Sequence, residues 1–470
     1  MADTESHTIS RQASRSRTSM VDEVDDATTR EKEDMGPGSL GFFDRSPEGN
    51  LARATYLKIF IIGTVSVMVM IFTLLPIYWG ALWKTPERNL DGWVVDFDGG
   101  QIGEQVMNAL ASNSGVGKIT WHVQSAESFP GSLEDLRTSV REEHTWAAIA
   151  VAPGTTERLG ATLASPNQTY DGSRAILAFA VEARSENGYR SLIRPSIEGA
   201  LTIISRQIAL QVAARASSSA NIQAILQDSP QTIVNPVGFT LENLIPYDQP
   251  VATAATFVGM LYQLIMGFFV VMICMAAREA SGYEKRLSTR ALIGLRLASA
   301  FTAYFFISLL YSAMNMAFQL DVTRKFGNAG FVVFWMINFA GLAAMCMTLE
   351  SMITLLTPKG IPFFMLLWII TNLSVTLFPI EVLPTLFRYG YAWPFYNTSV
   401  ALRTVIFGTE NHLGRSFGIL YGWAALSCLT LCLFQWMRRR PTKAEVSKDI
   451  SSPSSNTVVL SRPEKSKAEA

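Results

Sequence analysis

The chain has 470 residues, 49% of them hydrophobic and 17% charged, against roughly 25% charged in an ordinary soluble domain. Lys plus Arg and Asp plus Glu each number 39, so the formal net charge is zero. Such a chain is too apolar to be disordered over most of its length. It has no basic excess with which to neutralise a nucleic-acid backbone, and with 4 Cys it is no disulfide scaffold.

Residues 1–56 are polar, acidic and rich in Ser and Thr, and are expected to form a disordered cytoplasmic tail. Within it, Ser14, Ser16 and Thr18 stand beside Arg15 and Arg17, a pattern a basophilic kinase can use; a merely solvated tail is the plainer reading. A bilayer-crossing helix needs about 20 mostly apolar residues. Six segments reach that length, at 57–82, 253–277, 291–320, 328–349, 361–380 and 417–437. The first begins too far from Met1 for a cleaved signal peptide and reads as a signal anchor.

Between the first and second spans, residues 83–252 have the composition of a folded soluble domain. Residues 93–97 read as a strand, 101–112 as a helix and 119–123 as a second strand. Ser132 is a candidate N-cap for a helix running to 143. Residues 146–152 and 176–181 are apolar strands, and 196–227 are helical. Alternating strands and helices predict an α/β or α+β domain. The sequon at Asn167 suits a lumenal or extracellular surface, and Asn397 begins a second one nearer the bilayer. All four Cys fall in predicted spans, so the domain has none.

Three local patterns suggest chemistry. Residues 113–120 resemble a phosphate-binding loop, but Ser112 stands where its first glycine belongs and Ile119 follows Lys118 in place of Ser or Thr. The chain therefore shows no nucleotide motor of its own. Asp96 and Asp98 precede two glycines without the further carboxylates of a calcium loop. His7, His122, His144 and His412 are scattered, with no metal-ligand or catalytic-triad spacing. The expectation is a non-enzyme without metal or cofactor.

Orientation follows from Lys and Arg in short loops. Arg278, Lys285, Arg286 and Arg290 after the second span, and Arg438, Arg439, Arg440 and Lys443 after the sixth, predict two cytoplasmic ends. Both termini are then cytoplasmic, residues 438–470 form a second disordered tail, and the 83–252 domain lies outside the cytoplasm. The spans carry no charge in their central parts; Arg296, Glu350 and Glu381 sit near their ends. Gln263, Asn315, Asn338 and Asn372 are the polar candidates either for lining a path or for hydrogen bonding between helices. Residues 383–403 are aromatic and amphipathic, and predict an interfacial or re-entrant element on the outer side.

One span, a large insertion and five further spans resemble the membrane subunits of ABC-2 type exporters. Pro384, Trp393 and Pro394, then Arg403 and Gly408, resemble that family's last outer loop. Residues 94–103, 146–151 and 257–264 are similar to segments of the fungal nitrosoguanidine-resistance family. The resemblance covers about residues 55–440 and implies a polytopic protein of the plasma membrane, or of an endomembrane, that confers resistance to toxic compounds. It implies membrane lipids as surroundings, a homodimer, a separate ATPase as partner, and a small-molecule substrate of unknown identity; nucleic acid is not expected. The rival expectation is a regulator or scaffold that alters lipid distribution and drug sensitivity without transporting anything.

Overall fold

The computed structural model describes residues 41–112, 115 and 119–440. The phosphate-loop lookalike, the Ser/Arg-rich stretch at 14–18 and the tail beyond 440 fall outside them, Gly115, Ile119 and Thr120 of the lookalike excepted. The chain divides into two units, Met1–Thr73 and Leu74–Ala470. In the first, helix α1 spans Pro47–Thr73. It begins well inside the tail expected to be disordered to residue 56, and the cause is local. Ser46 Oγ accepts the N–H of Gly49 at 3.1 Å, Pro47 opens the helix, and Glu48 lies in its first turn. These are the features of a good helix start.

The second unit opens with α2, Leu75–Trp83. A mixed sheet follows, of β1 (Leu90–Asp96), β2 (Ile119–Gln124), β3 (Ala147–Val151), β4 (Ile176–Ala180) and β5 (Phe239–Asn243), in the order β2-β1-β3-β4-β5. β1 pairs in parallel with β2 and β3, β3 antiparallel with β4, and β4 in parallel with β5. The connecting helices are α3 (Gln101–Ser112), α4 (Leu133–Arg141), α5 (Thr155–Ala164), α6 (Arg194–Ser217) and α7 (Ile222–Asp228). Ser132 does not cap α4 with its side chain; it has φ 61°, and Asp135 turns back to accept the Gly131 N–H. Asp96 and Asp98 serve turns and caps. Asp96 Oδ1 accepts the N–H groups of Asp98 and Gly99, and Asp98 Oδ1 accepts the Thr156 N–H in the first turn of α5.

The two faces of the sheet are packed differently. Val94, Ile149, Ile176 and Ala178 point towards α3, α5 and α6, meeting Val106, Leu159, Ile197 and Leu201. Alternate residues Val95, Ala148, Ala150 and Phe179 point the other way. There they join Leu136 and Val140 of α4 in a core that continues into Phe334, Leu402, Val405 and Ile406 of the helical body. The alternation of a strand thus ties one face of the insert to the bundle.

That bundle comprises α8 (Gly259–Ala280), α9 (Thr289–Ala317), α10 (Gly330–Leu373), α11 (Pro394–Phe407) and α12 (Leu413–Arg438). Among the described residues, five helices are long and apolar enough to cross a membrane: Pro47–Trp83, Ala254–Ala280, Thr289–Ala317, Gly327–Leu373 and Leu413–Arg438. Two of the six expected segments, 328–349 and 361–380, map to the one element α10, which ends at Leu373, short of the second segment's expected end. It is not straight. Thr357 has φ 62° and ψ 170°, and Pro358 follows it. Proline disfavours the helical region for the residue before it, so the helix breaks there. Gly341 and Asn372 would lie about 46 Å apart along a straight helix. Both nevertheless meet the start of α11. Asn372 Oδ1 accepts the Phe395 N–H at 3.1 Å, and a Cβ at Gly341 would stand 2.9 Å from Thr398 Oγ1. The chain therefore doubles back at Thr357 into two arms.

Candidate functional site

The expected polar residues separate into two groups. Gln263 Nε2 donates to Asn338 Oδ1 at 2.8 Å, and Asn338 Nδ2 donates to Phe334 O at 2.9 Å and Ser312 Oγ at 3.3 Å. Asn315 Nδ2 donates to Tyr311 O of its own helix. These groups are buried and join α8, α9 and the first arm of α10. Asn372 stands apart: it caps the first turn of α11 through Phe395 and donates to Trp368 O.

The outer-loop residues define α11. Pro384 opens a 3₁₀ segment, Thr385–Ala392. Trp393 is the N-cap residue of α11, Pro394 its first residue, and Gly408 its terminator at φ 79°. Proline first and left-handed glycine last are the expected bounds of a helix. Residues 383–403 are expected to be interfacial or re-entrant, and the helix among them does not lie on a surface. Nearly every residue of it is buried between the sheet and the bundle. Asn397 is among them, with Nδ2 donating to Tyr391 O and Trp393 O at 2.9 Å, so this sequon is no glycan acceptor in the folded chain. Asn167, by contrast, is exposed in a turn.

Beside α11 lies a cavity of about 250 Å³ between the insert and the bundle. Its walls include Glu143, Arg184, Glu381, Arg403, His412 and Arg415. Arg403 reaches from α11 to the insert. Its Nη2 lies 2.6 Å from Glu186 Oε2, and its Nη1 donates to Ala183 O at 3.0 Å. Arg184 Nε lies 3.2 Å from Glu143 Oε2, and its guanidinium stacks 3.6 Å from the Trp146 ring. His412 Nε2 is 3.4 Å from both Glu143 Oε2 and Glu410 Oε2.

Glu143 ends α4 in a left-handed conformation, φ 60°. The His144 N–H donates to Ser139 O, and the Glu143 N–H to Val140 O. This is the helix-ending turn whose third position glycine ordinarily fills. Here a glutamate fills it and delivers its carboxylate to the junction. Burial alone pushes that carboxyl up. The His412 hydrogen bond and the Arg184 charge outweigh it and hold the group below the ordinary carboxylate range. Ligand atoms of Glu143, Glu410 and His412 all lie within 4.8 Å of one another, close enough to hold a metal ion. Arg184 already supplies a cation to the same carboxylate oxygen. Burial and the neighbouring Glu381 push the Tyr391 phenol up to about 12.

At the opposite end of the bundle a second charged cluster joins four helices. Arg296 Nε meets Glu350 Oε1 at 2.7 Å, and its Nη2 donates to Glu350 O at 2.6 Å. Its Nη1 donates to Thr354 Oγ1 and Gln435 Oε1. Arg278 Nη1 lies 3.2 Å from the same Glu350 oxygen. Arg278, Arg296 and Glu350 are all buried. Two loops predicted to lie in the cytoplasm meet here, since Arg439 donates to Leu287 O and Glu284 O. Pro358 has no N–H to offer the carbonyl of Thr354, and Arg438 Nη1 donates to that carbonyl at 3.2 Å.

Sequence spacing pointed to neither cluster. Glu143 and His412 are 269 residues apart, and no local motif encodes such a pair. The Arg296 and Glu350 signal was visible, as charges just inside helix ends, without its pairing.

Fold and sites together define a polytopic helical membrane protein with a mixed α/β insert docked on a buried helix. The sequence profile of a protein family of unknown function (DUF3533) matches residues 64–429, and the chain belongs to that family. It is similar to the uncharacterized endoplasmic reticulum membrane protein YJR015W of Saccharomyces cerevisiae, 23% identical over 435 residues that cover 86% of this chain and 84% of the relative. No solved structure matches.

Proposed function

We propose that the chain is an efflux-type component without its own ATPase, handling toxic small molecules or lipids at the junction cavity. The observation that carries this reading is the cavity itself. It combines charged and aromatic walls and lies where membrane-length helices end against a folded insert. The two arms of α10 count as separate crossings in this reading, giving six, with the Arg278–Arg296–Arg438 end cytoplasmic and the insert outside. The basic loops gathered at that end support the orientation. The resemblance to ABC-2 exporters adds a homodimer and a separate ATPase. The plasma membrane was the sequence expectation; the name of the yeast relative supports the endomembrane alternative.

A second reading, a regulator or scaffold of lipid distribution, draws support from one observation. Gln263, Asn338 and Ser312 spend their hydrogen bonds on one another. Purified protein in liposomes separates the two. Movement of lipid or drug, with or without added ATPase, supports transport. A lack of movement in both conditions, with resistance still lost on deletion in cells, supports the regulator. Replacing Asn315, Asn338 or Asn372 by Leu refines the result: altered drug selectivity at normal expression indicates a path, and loss of folded protein indicates packing. Protease added to sealed vesicles of known sidedness tests the orientation through cleavage of the insert.

A further inference from the structure

Two fixed charge pairs stand around the junction cavity: Arg184 answers Glu143, and Arg403 answers Glu186. Glu410 lies 3.4 Å from His412, an imidazole and not a fixed charge. Two further charges in the wall have no such neighbour. Glu381, in the turn after α10, lines the cavity together with Tyr391 and pairs with no cation among the described residues. Arg415, in the first turn of α12, pairs with no carboxylate among them. One free anion and one free cation thus face a single cavity from different elements, with Tyr391 and Tyr396 in the wall.

We propose that this cavity binds the zwitterionic headgroup of an amphiphile, its anionic group at Arg415 and its cationic group at Glu381 and the tyrosines. The inference rests on the reading of the cavity as the ligand-handling site and names its ligand class. Three features of the cavity converge on it. A ligand of either single charge would leave one wall charge unanswered, whereas a zwitterion answers both. The volume of about 250 Å³ lies below the roughly 300–1,000 Å³ of pockets that enclose drug-sized molecules, which suits a headgroup whose tails stay outside. Arg415 stands in the first turn of a helix long and apolar enough to cross a membrane, Leu413–Arg438, and the end of a crossing helix is where headgroups are met. Tyrosine faces beside a carboxylate also suit a substituted ammonium group.

The test uses the full-length protein in detergent and titrates it with dihexanoyl phosphatidylcholine, dihexanoyl phosphatidylglycerol and free phosphocholine. Wild-type protein should prefer the zwitterionic lipid over the anionic one by about tenfold or more. Glu381→Gln and Arg415→Gln should each weaken phosphatidylcholine binding about tenfold, and Glu381→Gln should also narrow the discrimination against phosphatidylglycerol. The exchange E381R/R415E should recover binding that either of its single changes abolishes. Competition by free phosphocholine would identify a soluble zwitterion as sufficient; binding of the acylated form alone would identify a bilayer lipid. Equal affinity for both lipids, or unchanged binding in both Gln variants that circular dichroism shows to be folded, overturns the proposal. The transport reading fails separately: a wild type that moves nothing in liposomes yet shows this charge-dependent binding keeps the site and loses the efflux function. A wild type that transports while binding ignores both charges keeps the function and loses the site.

Discussion

The two ends of the helical body use the same materials in opposite ways. At the end remote from the insert, the inner end of the body, Arg296 and Arg278 converge on Glu350, and Thr354, Gln435 and a main-chain carbonyl take further donors. At the end that meets the insert, the outer end in the same sense, Arg184 and Arg403 have their own carboxylates, but the pairs stand round a cavity and leave Glu381 and Arg415 over. A charge buried in apolar surroundings is tolerated only when paired and hydrogen-bonded. The inner cluster meets that condition with residues of four helices and acts as a clamp. The outer cluster adjoins a cavity and can keep charge unspent. Position relative to solvent, more than residue type, separates a structural ion pair from a binding wall.

The largest effect should come from breaking the inner cluster. Glu350→Met leaves Arg296 against one carbonyl and two neutral side chains, and leaves Arg278 with Glu284 alone, whose Oε2 lies 3.5 Å from its Nε. Removing one partner of a buried pair costs about 3–5 kcal/mol, so we expect a collapse in the yield of monodisperse protein. The triple variant R278M/R296M/E350M removes all three charges and should recover most of that yield, because a well-packed apolar replacement of a buried ion cluster is often neutral. If the triple variant is as poor as the single one, the cluster is needed for something beyond charge balance.

Arg403 should come next. Arg403→Met strands Glu186 and the Ala183 carbonyl at the contact between α11 and the insert. We expect a loss of about 2–4 kcal/mol, read as faster limited proteolysis of the insert with the inner end unaffected. Arg403→Lys should recover only part of it, since a single ammonium cannot reproduce the forked contact.

The pH dependence sharpens the contrast further. Because Glu143 is held below the ordinary carboxylate range in the folded chain, it contributes stability that is present above its unfolded value of 4.5 and is lost as pH falls through the lower folded value. Thermal unfolding followed from pH 6 downward should therefore steepen on the acid side in the wild type. Glu143→Gln should flatten that part of the curve. An identical acid limb in both proteins would show that the junction pair carries no linked proton.

Much of the framework was legible in the sequence, for physical reasons that vary by element. The strands around Val94-Val95 and Ala147–Val151 are short apolar runs between turns, and α3 matches its expected bounds. β5, Phe239–Asn243, escaped notice because it reads Phe-Thr-Leu-Glu-Asn and has no fully buried residue. The start of α1 was written in Ser46-Pro47-Glu48 but masked by the polar composition around it. The reversal in α10 showed in the sequence only as the gap between the expected spans 328–349 and 361–380, within which Pro358 lies. The cavity was not legible at all. Its walls come from α4, the turn after β4, the segment after α10, α11 and α12, and only the packing of α11 between sheet and bundle brings them together.

The smallest effect probes the backbone at each end. Thr357 and Glu143 both hold positive φ without being glycine, at 62° and 60°. Thr357 combines its φ with ψ 170°, a region open to glycine almost alone, at a cost of roughly 1–3 kcal/mol for other residues. No hydrogen bond from its side chain offsets that cost among the described residues. Thr357→Gly should therefore stabilise the protein by about 1 kcal/mol after the entropy of the freer unfolded chain is counted, and Thr357→Ala should not. Glu143→Gly relieves a similar backbone cost but forfeits the contacts to Arg184 and His412, so its net effect should have the opposite sign. Thermal unfolding of the three variants decides the matter. Stabilisation by both glycines would mean that the outer ion pair is worth less than the strain of holding it, and that the junction is not built to keep its charges in place.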